Sequence, residues 1–143
     1  MTIKLGIIMD PIGDINIKKD SSFAMMLAAQ EKGWELYYME LPDLYLDQGE
    51  AKASMRIVKV ERNPEQWFEF SSQQDKPLSE LNAIIMRIDP PVDAEFIYAT
   101  HILERAEKQG TLIVNKAQSL RDCNEKLYAT EFPQCCPPVL VSR

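Results

Sequence analysis

Glycine is scarce in this chain, five in 143 residues, and no GxGxxG or Walker-type run occurs. That excludes a dinucleotide-binding turn and a phosphate loop of the P-loop type. Histidine occurs once, at His101, and cysteine three times, with Cys135 and Cys136 adjacent. No second Cys or His cluster stands at ligand spacing, so a zinc site has no donor set and no metal ligand is expected in the chain. An odd number of cysteines fits a reducing compartment. Basic residues are outnumbered, 16 against 22 acidic, and the resulting charge of −6 argues against nucleic acid as a partner. No apolar run approaches membrane-spanning length, because Ile7-Ile8-Met9 is cut off by Asp10-Pro11. The N-terminus lacks the basic-then-apolar pattern of a signal peptide. The expectation is a cytoplasmic protein with no membrane partner.

What is present is an alternation of strands and helices. Hydrophobic residues make up 45% of the chain, enough for one domain with a core. Ile3 to Met9 reads as a buried strand ended by Asp10-Pro11. Asp20 and Ser21 are good N-caps for a helix from Phe23 to Lys32, which Gly33 ends. Trp34 to Met39 reads as a second strand, making a βαβ crossover and a parallel pair. The middle behaves differently. Leu44 to Leu46 and Ala51 to Val60, around Asp47-Gln48-Gly49-Glu50, read as an antiparallel hairpin. Gln66 to Phe70 reads as a short strand and Ser71 to Pro77 as a polar loop.

The βα rhythm resumes at Leu81. Ala83 to Met86 is an isoleucine-rich buried strand, and Asp93 caps a helix carrying Phe96, Ala99, Leu103 and Ala106 at helical spacing. Leu112 to Val114 is a further core strand, and a helix is expected from about Ser119 to Phe132. The fold class is therefore α/β: a Rossmann-like, mainly parallel sheet flanked by helices, with an inserted antiparallel hairpin. Residues 1–130 form the domain. Residues 131–143, broken by Pro133, Pro137 and Pro138, read as a linker, and Val139 to Val141 as the start of a further strand. Either that segment docks back on this sheet or more protein is expected to follow.

The most informative stretch is Met86-Arg87-Ile88-Asp89-Pro90-Pro91. Two prolines cannot continue a strand ladder, so Arg87 and Asp89 sit at the carboxyl lip of a core strand. Ligands of open α/β sheets bind beyond that edge. A guanidinium fork there suits a carboxylate or a phosphate. Pairing of Arg87 and Asp89 with loop neighbours is the other reading, and both stay open. The helix start near Lys18, Lys19 and Asp20 offers backbone amides to an anion, against an ordinary capped helix with solvated lysines. His101 has no nearby nucleophile to activate. Lys126 follows Asn124-Glu125 and could reach a nucleotide phosphate, but on sequence pattern alone a solvated helical lysine is the better reading.

Six segments carry a family likeness: Leu5 to Pro11, Asn16 to Met25, Asp43-Leu44-Tyr45, Met86 to Pro91, Glu95 to Thr100 and Ser119 to Tyr128. In order and spacing, from Ile3 to about Tyr128, they resemble the amino-terminal part of the bacterial glutathione synthetase family, one of the ATP-grasp ligases. Glu131 to Pro138 match poorly. Ile88 stands where the family usually has lysine, and Ala117 where it has proline. The resemblance implies a pre-ATP-grasp domain of Rossmann-like form. It implies an enzyme that joins γ-glutamylcysteine to glycine with ATP and Mg2+ through an acylphosphate, working as a homo-oligomer. By the same resemblance, Arg87 contacts the dipeptide substrate, Lys126 contacts ATP phosphates, and Asp20, Ser21, Asp89 and Phe96 lie near the cleft. No catalytic residue is assigned to this chain. The magnesium ligands, a second ATP lysine and a glycine-rich lid are expected in a domain after Arg143, so the chain by itself is expected to be inactive. A non-catalytic binding module or an oligomerisation domain of the same fold is the alternative.

Overall fold

β1, Lys4–Met9, is buried along almost its whole length. Its odd positions Leu5, Ile7 and Met9 enter one apolar layer, and Ile8 enters the other. Side chains alternate across a strand, so such a sequence is stable only between two covering layers. The structure, a computed structural model, describes residues 2–88 and 91–142. It supplies those layers from four helices and a seven-stranded sheet.

Helix α1, Ser21–Glu31, covers one face with Phe23, Met26, Leu27 and Ala29. Its N-cap is Asp20, as the sequence predicts, and the Asp20 carboxylate accepts from the Phe23 N–H at 2.6 Å. β2, Glu35–Met39, returns parallel to β1. After it come β3, Leu44–Asp47, β4, Glu50–Val60, and β5, Phe68–Pro77, all antiparallel in their pairings through β4. The β3–β4 turn is Gln48-Gly49, with φ of 50° and 86°. Two positive φ values are what a two-residue hairpin of the strand-matching hand requires. β6, Ala83–Arg87, pairs parallel with the free side of β1, and β7, Leu112–Val114, pairs parallel with β6. Helix α2, Ala94–Lys108, covers the second face with Phe96, Ala99, Leu103 and Ala106, and is capped by Asp93 as expected. The short helices α3, Ala117–Asp122, and α4, Glu125–Tyr128, follow. Among the described residues no helix is long and apolar enough to cross a membrane.

The parallel run β2-β1-β6-β7 and the inserted antiparallel unit agree with the sequence reading. Three local expectations do not hold. Ser71 to Pro77, read as a loop, is most of β5, which pairs with β4 from Phe68↔Val60 to Pro77↔Lys52. Backbone pairing at a sheet edge needs no apolar alternation, so these polar residues gave no strand signal. The helix expected from Ser119 to Phe132 is broken at Cys123. The Asn124 side chain accepts from the Lys126 and Leu127 N–H groups and so begins a new helix. Val139 to Val141 form no strand and are exposed.

Gly6 marks the tightest point of the sheet. A methyl group there would lie 2.7 Å from Leu81 Cδ1, 2.9 Å from Met39 Cε and 3.1 Å from Ile84 Cγ1. Leu81 Cδ1 and Met39 Cε end their side chains and can yield a little, whereas Ile84 Cγ1 belongs to a stiffer β-branched chain. Gly6→Ala should therefore cost about 1–3 kcal/mol, and Gly6→Val more, as measured by chemical denaturation. An unchanged midpoint for Gly6→Val would show that this face of β1 is not closed.

Candidate functional site

The lip of β6 divides by the two-residue period of the strand. Ala83 and Ile85 pack toward the α1 layer, and Arg87 continues that series. Ile84, Met86 and Ile88 belong to the α2 side. Arg87 and Ile88 consequently line two different clefts at the carboxyl edge of the parallel strands.

The first cleft, about 290 Å³, is lined by Met9, Asp10, Pro11, Asp14, Ile15, Asn16, Asp20, Ser22 and Arg87. Arg87 pairs in register with Met9 at the end of β1, and its Nε donates to Ser22 Oγ at 3.1 Å. Ser22 is buried on the inner side of α1. One guanidinium thus stands among three carboxylate residues, Asp10, Asp14 and Asp20. Such a wall offers donors to an anionic group and acceptors to a cationic one in the same small space. Asp20 lines this cleft, and its Oδ1 is engaged in capping α1. That carboxylate already serves the helix end that Lys18 and Lys19 flank, which favours the ordinary cap over an anion site there. Ser21, the expected neighbour, is exposed, and Ser22 takes its place. Asp89 lies outside the described residues.

The loop between β1 and α1 shapes this cleft, and it is held by a residue that faces away from it. Ile12 is buried. Its N–H donates to Tyr38 Oη at 3.1 Å, and its C=O accepts from Trp67 Nε1 at 2.8 Å. Tyr38 in turn donates to Glu40 Oε1 at 2.7 Å, and Arg56 Nη2 donates to the same oxygen at 3.1 Å. Burial, and then the bond to Glu40, push the Tyr38 hydroxyl well above its ordinary pKa, so it stays a donor. The sequence marks Trp67 as a packing anchor of the Gln66 to Phe70 segment but shows neither its bond to Ile12 nor that of Tyr38, since each reaches Ile12 across a long chain separation.

The second cleft, about 500 Å³, lies between β6, β7, α2 and α3. Ile88, Phe96, Lys116, Ser119, Arg121 and Asn124 are among its lining residues. Phe96 therefore lines this cleft and not the one holding Arg87. Arg121 is committed to the fold: it donates to Thr100 Oγ1, Glu104 Oε2 and Gln118 Oε1, tying α3 to α2. Glu104 also meets Lys108, and that contact, then Arg121, holds its carboxyl below the usual range. His101 is exposed, 3.8 Å from Glu104. Lys126 is largely exposed, pairs with Glu125, and lines neither cleft. The three cysteines are free. Among the described residues no group of three or more His, Cys, Asp or Glu side chains is placed to hold a metal ion.

Comparison with known proteins agrees with this architecture. The family model of the prokaryotic glutathione synthetase N-terminal domain matches residues 3–121. Glutathione synthetase of Vibrio vulnificus strain YJ016 is 64% identical over 143 residues, all of this chain and 45% of the relative. That of Escherichia coli O127:H6 is 64% identical over 141 residues, 99% of this chain and 45% of the relative. The Pseudomonas putida KT2440 protein is 59% identical over 143 residues, again 45% of its length. The chain spans a little under half the length of these relatives. With a βαβ-built parallel core, and a family match reaching from β1 into α3, the chain belongs to the prokaryotic glutathione synthetase N-terminal domain family.

Proposed function

We propose that this chain is the substrate-side domain of a glutathione synthetase, an ATP-dependent ligase that joins γ-glutamylcysteine to glycine. The carrying observation is the first cleft: one arginine and three carboxylate residues at the end of the parallel strands. The γ-glutamyl group ends in an amino-acid head with one carboxylate and one ammonium. Arg87 suits the carboxylate as a charge-assisted donor, and the aspartates suit the ammonium. Holding that head fixes where the dipeptide's cysteinyl carboxylate points.

The chemistry needs that orientation. A carboxylate oxygen attacks the terminal phosphorus of ATP, ADP leaves, and an acylphosphate results. The glycine amine then attacks the acyl carbon and phosphate departs, leaving an amide. Phosphoryl transfer of this kind depends on positioning and on concentrated positive charge. Magnesium supplies part of that charge when bound. The residues described here offer it no ligand set, so its ligands are assigned to the part of the relatives beyond this chain's match. Lys126, exposed on α4, is placed at the ATP phosphates in this reading. Arg87 binds and orients, and no bond-making step is given to it.

Three outcomes are expected. In the full-length protein, Arg87→Ala should raise KM for γ-glutamylcysteine roughly 10- to 100-fold, the range lost with a charge-assisted hydrogen bond. Melting temperature should change little, and a large thermal loss with unchanged KM would return Arg87 to a purely structural ion pair. Lys126→Ala should raise KM for ATP while leaving KM for the dipeptide unchanged, as steady-state kinetics would measure. The purified 143-residue chain should release no ADP with ATP, γ-glutamylcysteine and glycine together. Turnover by it would place the catalytic groups in this domain after all.

A further inference from the structure

Building on the proposed reading, we infer that Tyr38 and Trp67 are positioning residues for the dipeptide cleft, acting through the backbone of Ile12. Neither side chain lines the cleft. Each instead holds one of the two backbone polar groups of Ile12, the N–H to Tyr38 and the C=O to Trp67. Ile12 lies within the loop whose residues Asp10, Pro11, Asp14 and Asn16 do line it. Between Pro11 and Asn16 the chain has only a single short turn, Ile12–Asp14, and no sheet ladder. Its path is set by that turn's bond from Asp14 N–H to Pro11 C=O, by the packing of Ile12 and Ile15 on the core, and by the two side chains that hold the Ile12 backbone.

Both grips are themselves braced. Arg56 lies over the Tyr38 ring at 4.8 Å and over Phe70 at 4.6 Å while it bonds Glu40. Phe70 packs at 5.2 Å from Tyr38 and 5.1 Å from Phe68, which contacts Trp67 at 5.9 Å. Trp67 comes from the connection between β4 and β5, so the antiparallel insertion reaches back to the parallel core at the base of the cleft. A side chain that fixes a binding loop acts on ground-state and transition-state binding alike, because the loop is in place in both.

The test compares Tyr38→Phe and Trp67→Phe in the full-length protein. Tyr38→Phe keeps the ring and removes the oxygen that accepts from the Ile12 N–H; Trp67→Phe removes the indole N–H that donates to the Ile12 C=O, together with one of its two fused rings. Each should raise KM for γ-glutamylcysteine about tenfold, with kcat and KM for glycine within about twofold, the scale of one lost hydrogen bond to a buried backbone group. A merely structural role would lower melting temperature and leave this selective KM change absent, and that result overturns the inference. A second measurement needs no variant. Hydrogen exchange of the wild-type protein, with and without γ-glutamylcysteine, should slow together in residues 10–16 and 66–70. Slowing in the first segment alone overturns the inference, even if neither variant folds. If the wild type binds γ-glutamylcysteine with joint slowing but makes no peptide bond to glycine, the ligase reading fails and the positioning role stands. If ligation proceeds with neither the KM change nor joint slowing, the ligase reading stands and the positioning role fails.

Discussion

Burial of β1 on both faces is the constraint from which the rest of this molecule follows. A strand with no solvated side must be covered twice, and the two covers differ in origin. One is α1, the local crossover that joins β1 to β2. The other is α2 with α3, which arrive only after the antiparallel insertion. The ends of β1 and β6 are then fixed relative to α1, and the region beyond them becomes a cleft whose walls come from distant parts of the chain. Gly6 shows how closely this is fitted, since the layer over it has no room for a methyl group without adjustment.

The electrostatics of the cleft follow from the same alternation. Arg87 is the residue after the last apolar pair of β6, on the α1 side, and it meets Ser22 there at 3.1 Å. Had the strand ended one residue earlier or later, the guanidinium would have turned toward α2. The carboxylates facing it come from a loop and a cap, not from the sheet. Both signs of charge thus meet in one small volume.

Much of this was legible in the sequence, and the exceptions share a cause. The crossover from β1 to β2, the hairpin at Gln48-Gly49, and the caps at Asp20 and Asp93 all depend on neighbours within a few residues. So does the location of Arg87, because Pro90 and Pro91 mark the strand end. Ser22 was missed by one position, since only the path of α1 decides which early residue faces inward. The bonds of Tyr38 and Trp67 to Ile12 cross 26 and 55 residues, and no local pattern announces them. β5 was missed because its pairing is made by backbone groups, and Ser72, Gln74 and Lys76 carry no alternation of polarity. Phe96 lines the second cleft, and the sequence could not show that the lip has two.

The irregularity in β5 limits how this domain can vary. Ile57 pairs with Ser72 but Val58 pairs with Phe70, so Ser71 is an extra residue in the ladder. That one residue lets Phe68 and Phe70 face the α1 layer while the later half of the strand keeps its own register. Deleting Ser71, or inserting one residue beside it, would exchange the two faces on one side of the defect. The aromatic brace behind Ile12 would then turn to water or the outer half of β5 would lose its pairing. Length changes in this insertion are therefore tolerable in the Glu61 to Gln66 loop, which is exposed throughout, and not in the strand, where every second residue is half-buried.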